Sequence, residues 1–433
     1  MTGARDAEHR DSGVEWIGAI PADWELIPFF AAVKQRRDSN VGMREKNLLS
    51  LSFGRIVAKD IDSSDGLLPE SFETYQIVEP SDVVFRLTDL QNDKRSLRSA
   101  FVREKGIITS AYLAVAPIRH DPTYFAYLMR AYDSQKVFYS MGGGLRQSMK
   151  FEDMKHLPVL LPSLAVQRQI ADYLDVQTAK IDALIGKQER LIVTLAERRQ
   201  AVISHLTSTG LAAHSSMGDS GYQWIGSIPS RWKVFPLLRV TTGRVDYRGA
   251  TPVKTDHGIQ LITARNVKKG YIDRAASLEY VSEADYAQVM RRGLPEVGDL
   301  LLTMEAPLGN AALVDDAHIA LAQRVIKFRL DRTVVAPEFL SYLLNASAFQ
   351  AQILSKATGS TALGLKASKL SELVVALPPL DDQTAIVDRL DFETSRIDRL
   401  AGKAREMIEV LKERRQALIS AAVTGKIDVR GLV

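Results

Sequence analysis

The chain of 433 residues carries the same sequence pattern twice, in the same order. Residues 12–28 (SGVEWIGAIPADWELIP) recur as residues 220–236 (SGYQWIGSIPSRWKVFP), and residues 157–204 recur as residues 373–420. Each pair of repeats encloses a segment that differs between the two halves. A duplication of this kind restricts the chain to a fold of two similar halves that hold two different inserts.

The two long repeats have the residue spacing of helices. Apolar residues recur at intervals of three, four and seven, so each repeat predicts a helix with one apolar stripe. The stripes are Ile170, Leu174, Ile181, Leu184, Leu191, Leu195 and Val202 in the first repeat, and Ile386, Leu390, Ile397, Leu400, Met407, Leu411 and Leu418 in the second. Each helix would contain about 40 residues and measure about 60 Å. We predict that the two helices pair as an antiparallel coiled coil; the alternative is that each packs on its own domain.

The two differing segments predict globular domains that mix helices and strands. Predicted strands lie at residues 82–85, 108–115, 299–302 and 324–330, and predicted helices at 122–138 and 337–354. The fold class is therefore α/β of the mixed α+β kind: two globular domains joined by two long helices, with an internal pseudo-two-fold repeat. The predicted divisions are residues 1–155 (N-terminal segment and first domain), 156–210 (first long helix), 211–371 (second repeat segment and second domain) and 372–433 (second long helix and C-terminal tail).

Patterns of catalytic residues are absent from the sequence. The chain has no cysteine, which excludes disulfides and thiolate chemistry and fits a cytoplasmic protein. Its histidines lack the spacing of a metal site, and Leu365 occupies the position that a P-loop reserves for lysine. Residues 121–124 (DPTY) are interpreted as the start of a helix. No apolar run approaches the roughly 20 residues that a transmembrane helix needs, so we expect no membrane contact.

Both inserts contain a basic stretch interleaved with Asn, Gln, Thr and Tyr. Residues 86–105 hold six basic and three acidic side chains, and residues 239–274 hold eight and three. Lysine and arginine neutralise phosphates, while arginine, asparagine and glutamine make paired hydrogen bonds to bases. A solvated surface is the alternative interpretation, because the net charge of the whole chain is only +4.

A Gly/Ser/Thr-rich stretch precedes each long helix. Residues 141–150 (MGGGLRQSMK) align with residues 357–366 (ATGSTALGLK). Exposed backbone amides, a hydroxyl or amide and a lysine suit phosphate contact, although an ordinary interdomain loop would have the same composition. The four tryptophans, Trp16, Trp24, Trp224 and Trp232, are interpreted as packing anchors.

The combination of motifs resembles the specificity subunit of type I restriction-modification enzymes. The resemblance rests on W-I-G-x-I-P-x-x-W at residues 16–24 and 224–232, L-P-x-L-x-x-Q at 161–167 and 377–383, and E-R-R-Q-A near the end of each long helix. Residues 296–303 (EVGDLLLT) are similar to a family motif, P-G-D followed by an apolar strand, with valine for the proline. Residues 79–82 (EPSD) depart further, with serine for the glycine.

The resemblance implies a non-catalytic subunit with two target recognition domains, each of which binds one half of a bipartite, asymmetric site in double-stranded DNA. It also implies two methyltransferase (modification) subunits and motor-nuclease (restriction) subunits as partners. The chain itself would carry no cofactor; S-adenosylmethionine, ATP and Mg would belong to the partners. The alternative from another class is a coiled-coil protein–protein adaptor without DNA recognition.

Candidate sites follow from these patterns. The DNA-binding candidates are Arg86, Thr88, Gln91, Asn92, Lys94, Arg95, Arg98, Arg146, Gln147 and Lys150 in the first half, and Arg244, Tyr247, Arg248, Lys254, Arg265, Asn266, Lys268, Lys269, Thr358, Ser360, Thr361 and Lys366 in the second. The partner-binding candidates are Glu197, Arg198, Arg199, Gln200, Glu413, Arg414, Arg415 and Gln416. No catalytic or metal-binding residue is predicted.

Overall fold

The computed structural model of the chain describes residues 8–62, 69, 71–90, 97–141, 148–211, 216–247, 252–359 and 363–429. The chain forms two compact units, which we call unit 1 (Met1–Glu189 with Glu406–Val433) and unit 2 (Arg190–Arg405). Each unit contains one variable segment and one end of each long helix. The predicted divisions after residues 155, 210 and 371 follow sequence similarity, whereas the two units follow packing, and both long helices are shared between the units.

Unit 1 contains two four-stranded sheets. Its strands are β1 (His9–Asp11), β2 (Ala19–Pro21), β3 (Glu25–Pro28), β4 (Val33–Gln35), β5 (Leu48–Ser52), β6 (Arg55–Lys59), β7 (Gln76–Val78), β8 (Val83–Phe85), β9 (Ser99–Phe101), β10 (Gly106–Ile108), β11 (Leu113–Pro117) and β12 (Pro158–Leu161). Its helices are α1 (Phe29–Ala32), α2 (Pro122–Ser134), α3 (Phe151–Met154) and the first part of α4 (Leu164–Thr209). One sheet has the antiparallel order β4-β11-β8-β9; the other has the order β6-β5-β10-β7, in which β5 and β10 run parallel.

Unit 2 repeats this arrangement. Its strands are β13 (Met217–Asp219), β14 (Ser227–Pro229), β15 (Lys233–Pro236), β16 (Thr241–Asp246), β17 (Ile259–Ile262), β18 (Tyr280–Val281), β19 (Leu300–Met304), β20 (Leu308–Leu313), β21 (Ala320–Leu321), β22 (Val325–Leu330) and β23 (Val374–Leu377). Its helices are α5 (Glu283–Val289), α6 (Pro337–Asn345), α7 (Ser347–Lys356) and the first part of α8 (Leu380–Val423). The sheet β16-β22-β19-β20 corresponds to β4-β11-β8-β9, and β18-β17-β21 contains the second parallel pair.

The predicted strands are mostly confirmed. β8 and β19 lie at 82–85 and 299–302, pair on both sides and are buried along their whole length, and β22 matches 324–330. The single strand predicted at 108–115 is wrong. A turn separates β10 from β11, in which the Tyr112 N–H donates to the Thr109 carbonyl over 3.1 Å and the Ala111 N–H donates to the Thr109 hydroxyl over 3.3 Å.

Both short helices begin where predicted but end or break early. The Asp121 carboxylate accepts hydrogen bonds from the backbone of Thr123 and Tyr124, so the interpretation of residues 121–124 as a helix start is correct. α2 then ends at Ser134, four residues before the predicted end. The second predicted helix is two helices, because the backbone at Ala346 is extended between α6 and α7.

The long helices pair antiparallel within each unit. In unit 1, Ile170 and Leu174 of α4 share a core with Ile419 and Val423 of α8. In unit 2, Leu195 of α4 packs with Ile397 and Ala401 of α8. An ion pair accompanies each contact: Asp182–Arg415 in unit 1, at 3.0 Å, and Arg199–Asp398 in unit 2, at 3.1 Å.

Part of the predicted apolar stripe lies outside this seam. Leu184, Leu191, Leu400 and Met407 are exposed, although the other stripe residues are buried or half-buried. The buried positions in the middle of α8 are Ile397, Ala401, Ala404, Ile408 and Leu411. The buried positions of α8 keep intervals of four and three but lie one residue after Leu400 and Met407, so the predicted stripe leaves the seam at those two positions.

Each long helix is attached by a buried glutamine to the variable segment of its unit, which corresponds to a predicted target recognition domain and is called the recognition segment below. Gln167 accepts from the Asp121 N–H (2.7 Å) and donates to the Pro162 carbonyl (2.8 Å). Gln383 makes the equivalent bonds with Ala336 (2.8 Å) and Pro378 (3.0 Å). These are the glutamines of the L-P-x-L-x-x-Q motif, which therefore joins a helix end to a domain.

A tyrosine makes a second matched attachment in each unit. The Tyr127 hydroxyl donates to Asp175 over 2.7 Å, and the Tyr342 hydroxyl donates to Asp391 over 2.6 Å. Burial raises the pKa of each tyrosine to about 12. The two halves therefore share an attachment chemistry as well as a topology.

The repeated W-I-G-x-I-P-x-x-W segment packs where a long helix ends. Trp24 is buried beside Gly425, after α8, and Trp232 is buried beside Gly210, after α4. The interpretation as packing anchors therefore holds for these two tryptophans. Trp16 and Trp224 are exposed, so they do not anchor the core.

Two further properties concern only the residues described above. No helix among them is both long and apolar enough to cross a membrane. Their histidine, aspartate and glutamate side chains also form no cluster that could hold a metal ion.

Candidate nucleic-acid interface

An aspartate fixes the turn that leads into β8 and the turn that leads into β19, which we call the central strands of the two recognition segments. The Asp82 carboxylate accepts from the Glu79 N–H (2.8 Å), and Asp299 accepts from the Glu296 N–H (2.9 Å). The preceding residues, Ser81 and Gly298, have φ of +79° and +89°. An aspartate followed by an apolar strand therefore builds the same turn in both halves, even though the first half has serine where the positive φ favours glycine.

The two aspartates have different cationic neighbours. Arg36 donates to both carboxylate oxygens of Asp82, which lowers the pKa of this carboxyl group. Burial has the larger effect, so the pKa of Asp82 lies above the ordinary value. Asp299 contacts both Lys327 (3.1 Å) and Arg329 (2.9 Å). Burial would raise the pKa of Asp299, but the bonds from Arg329 and Lys327 outweigh it, and its pKa lies below the ordinary value.

The far end of the central strand meets the Gly-rich stretch in both units. The Met149 N–H donates to the Leu87 carbonyl, and the Leu365 N–H donates to the Met304 carbonyl, each over 2.9 Å. The predicted alignment of these two stretches is thus matched by equivalent backbone contacts. Lys150 and Lys366 follow directly and are both exposed.

In unit 2 the basic stretch and the Gly-rich stretch lie next to the same loop. Lys254, Arg265 and Arg324 line a surface depression of about 270 Å³, together with Ala306. Thr358 forms a bridge with Gly364, and Gly364 forms one with Glu305, which precedes Ala306. Lys254 pairs with Glu279 over 2.9 Å. The fold therefore brings together two regions that are about 90 residues apart in the sequence.

Several other candidates lie on the surface of their unit. Arg244 on β16 is exposed, and Lys269 is exposed in the turn between Val267 and Ile272, where Lys268 is half-buried. In unit 1, Arg86 and Thr88 are half-buried directly after β8. Arg324 was missed among the sequence candidates because it directly precedes an apolar strand and was assigned to that strand.

Three candidates are corrected because their side chains are buried. Arg98 donates to the carbonyls of Thr88 (3.1 Å) and Asp89 (3.3 Å) and so holds the loop after β8. The Tyr247 hydroxyl donates to the Gly293 carbonyl, and burial raises its pKa. Asn266 donates to the carbonyls of Asp273 and Ser277. These side chains shape the surface instead of contacting a ligand at it.

The remaining DNA-binding candidates lie outside the described residues. They are Gln91, Asn92, Lys94, Arg95, Arg146, Gln147, Arg248, Ser360 and Thr361.

The E-R-R-Q segments are divided between internal and exposed residues. The second arginine of each, Arg199 or Arg415, forms the interhelical ion pair described above. Gln200 donates to the Asn345 carbonyl over 3.0 Å, and Gln416 donates to the Ser134 carbonyl over 3.4 Å. The polar groups of these four residues thus have partners within the chain, although Gln416 is exposed, and their role as partner contacts stays a prediction. The other four candidates are exposed: Glu197, Arg198, Glu413 and Arg414.

Comparison with known proteins gives a consistent result. A family model described as "Type I restriction modification DNA specificity domain" matches residues 97–192 and 292–409. The MjaVIII type I restriction enzyme specificity subunit of Methanocaldococcus jannaschii is 26% identical over 431 residues, which cover 95% of each chain. The EcoBI specificity subunit of Escherichia coli is 23% identical over 282 residues, which cover 62% of this chain and 58% of that one.

A solved structure has the same fold. It comes from work on complex assembly and conformational transition of the type I R-M system; it has a TM-score of 0.66 and 16% sequence identity, with coverage of 94% of this chain and 99% of that one. The family model matches once in each half, where the repeated attachments of helix and recognition segment lie. This chain therefore belongs to the family of type I restriction-modification DNA specificity subunits.

Proposed function

We propose that this chain recognises a bipartite site in duplex DNA, with each recognition segment contacting one half-site. One observation carries the proposal: the junction of central strand and Gly-rich stretch is built by the same backbone hydrogen bond in the two units, but the partly exposed side chain beside it differs, Thr88 in unit 1 and Glu305 in unit 2. Leu87 and Met149 form it in unit 1, and Met304 and Leu365 form it in unit 2. Two junctions with the same backbone hydrogen bond but different neighbouring side chains suit the recognition of an asymmetric DNA site.

Exposed cations around these junctions favour a polyanionic ligand. They include Lys150 in unit 1 and Arg265, Lys269 and Lys366 in unit 2. Lysine and arginine gain affinity for DNA by displacing condensed counterions, whereas sequence is distinguished by contacts to base edges. Arg265 beside Arg324 has the side-chain type that makes paired hydrogen bonds to guanine.

The paired helices would hold the two recognition segments at a set separation. Adding one base pair between two half-sites moves one of them by about 3.4 Å and rotates it by about 34–36°. A rigid support would therefore discriminate against sites with the wrong gap. The antiparallel pairing, the buried glutamines and the ion pairs within each unit support this role.

Partner subunits would supply the chemistry. We propose that two methyltransferase subunits and motor-nuclease subunits assemble with this chain in the cytoplasm, and that S-adenosylmethionine, ATP and Mg bind to those partners. Large apolar side chains are exposed at matched positions of the two helices: Val176 and Phe392, Leu184 and Leu400, Leu191 and Met407. Repeated apolar positions suit two copies of one partner.

Salt dependence tests DNA binding. The chain assembled with its methyltransferase partner should bind duplex DNA with an affinity that falls by about 10³–10⁵ between 50 and 200 mM salt, as expected for 6–10 phosphate contacts. Lys150→Ala and Lys366→Ala should each reduce the slope of log affinity against log salt by about 1. Titrations by fluorescence anisotropy would measure both. Binding that is insensitive to salt, or no binding to any duplex, would reject the proposal.

Charge reversal tests the partner surface. The pair Glu197→Lys with Arg198→Glu, and the pair Glu413→Lys with Arg414→Glu, should each remove one of the two co-purifying methyltransferase subunits, and all four changes together should abolish co-purification, because all four side chains are exposed on the helices. Lys59→Glu, an exposed change on β6, serves as the control. Circular dichroism should show unchanged folding. If both reversed variants retain the partner fully, the docking surface lies elsewhere on the chain.

A further inference from the structure

An aromatic side chain is exposed at the tip of the β5–β6 hairpin. Phe53 lies in the turn between the two strands and is 77% exposed. Its φ is +45°, a conformation that is uncommon for any residue with a side chain and rare for a bulky one. A large apolar group in a strained and exposed position is costly in the free protein, which suggests a function.

This tip is held in place from inside unit 1. The Arg130 guanidinium donates to the Gly54 carbonyl, and it also donates to the Ser99 carbonyl over 2.7 Å. Arg130 belongs to α2, and Ser99 begins β9. The hairpin tip is therefore fixed to a helix and to an edge strand, so that Phe53 is presented on a defined backbone.

Unit 2 also exposes an aromatic side chain in a turn. Tyr271 is 59% exposed in the turn closed by the bridge of Val267 to Ile272. The Gly270 N–H donates to the Ala311 carbonyl (2.8 Å), which also accepts from the Asn345 side chain (2.8 Å). In unit 1 the tip glycine is bound by a helix residue that also binds β9, whereas in unit 2 the tip glycine binds β20 directly and a helix residue binds the same β20 carbonyl. Both turns follow the strand of the parallel pair, β5 or β17.

Basic residues flank both aromatics. Arg55 is exposed two residues after Phe53, and Lys268 and Lys269 precede Tyr271. Aromatic faces stack on bases, and neighbouring cations neutralise the adjacent phosphates. Apolar wedges of this kind are also inserted between base steps by proteins that kink DNA. Each recognition segment thus has a fixed turn with an exposed aromatic side chain beside basic residues, and such turns are better suited to bind nucleic acid than a protein surface.

We propose that Phe53 and Tyr271 contact bases directly, each by stacking on or inserting beside a base of one half-site. The inference rests on the proposed function and adds the specific contact. Because the tips are fixed in the free chain, little conformational entropy is lost when they bind. Each tip would act within its own half-site, so its loss affects that half-site alone.

The test uses the chain assembled with its methyltransferase partner and duplexes that carry 2-aminopurine at successive positions. Phe53→Ala and Tyr271→Ala should each weaken binding about ten-fold, as found for the loss of one base–aromatic contact, with the salt slope unchanged. Each should also remove the 2-aminopurine signal in one half-site. Phe53→Tyr and Tyr271→Phe should retain affinity, and Phe30→Ala, which removes a phenylalanine of α1 that is 52% exposed, should bind DNA as the wild type does.

The outcomes separate the inference from the proposed function. If the wild type binds DNA in a salt-dependent way and both alanine variants bind equally well, the inference is wrong and the proposed function stands. If the variants lose the methyltransferase partner instead of DNA affinity, the tips belong to a protein interface and the inference is also wrong. If the wild type binds no duplex, the proposed function itself fails.

Discussion

Asp299→Ala is expected to lower the free energy of unfolding of unit 2 by about 3–5 kcal/mol. The substitution leaves Lys327 without its counter-charge, and the Lys327 side chain is only 4% exposed. Arg329 also contacts Asp299 but is partly exposed, so it reaches solvent when the aspartate is removed. The loss also deprives the Glu296 N–H of its acceptor.

Asp82→Ala in unit 1 is the matched control. Asp82 accepts the equivalent turn hydrogen bond, but its cation, Arg36, is 34% exposed and can be solvated. We expect a smaller loss, about 1–3 kcal/mol, which corresponds to the unsatisfied backbone group. Asp299→Asn separates the two effects, because asparagine retains an acceptor for Glu296 while removing the charge.

Hydrogen exchange measured by mass spectrometry would report each unit separately, which bulk unfolding of a two-unit chain does not. The expected order of destabilisation is Asp299→Ala, then Asp299→Asn, then Asp82→Ala. Equal effects of the two alanine variants would contradict the assignment of the Lys327–Asp299 pair as a buried charge pair.

The sequence predicted the duplicated fold because duplication and helical spacing are visible in residue order alone. It could not predict which apolar positions of the helices are buried. Leu400 and Met407 fit the predicted apolar stripe, yet the buried residues of α8 lie one position further along the helix, at Ala401 and Ile408. The run at 108–115 predicts one strand because both of its ends are apolar, and residue order alone does not reveal the turn at Thr109 between β10 and β11.

The candidate interface was less accessible to prediction. Arg98 stands in a basic stretch, and residue order cannot show that its guanidinium binds carbonyls of its own loop. The E-R-R-Q repeats mark equivalent positions on the two long helices, but residue order does not show that Arg199 and Arg415 form ion pairs between the helices. Phe53 was missed because it follows an apolar strand and resembles a core residue; its neighbour Gly54, between two strand-like runs, was the available signal of a turn.

The second large effect concerns DNA. A duplex in which one half-site is replaced is expected to bind about 10³-fold more weakly than the complete site, approaching non-specific affinity. The reason is that each recognition segment supplies its own set of base contacts, and contacts to phosphates alone do not distinguish sequences. Replacing the other half-site should have a comparable effect, because both units carry the same strand and loop junction.

The gap between the half-sites provides an independent control within the same experiment. Changing the sequence of the gap should leave the affinity nearly unchanged, whereas changing its length by one base pair should lower it, since the second half-site rotates by about 34–36° away from its recognition segment. A flexible connection between the segments would tolerate the changed length.

Selection of bound duplexes from a random-sequence library, with the chain assembled with its methyltransferase partner, is the most direct test of bipartite recognition. We expect two unlike enriched words separated by a constant number of unselected base pairs, with Tyr271→Ala relaxing one word and Phe53→Ala relaxing the other. Enrichment of a single continuous word, or of two words at variable spacing, would contradict it.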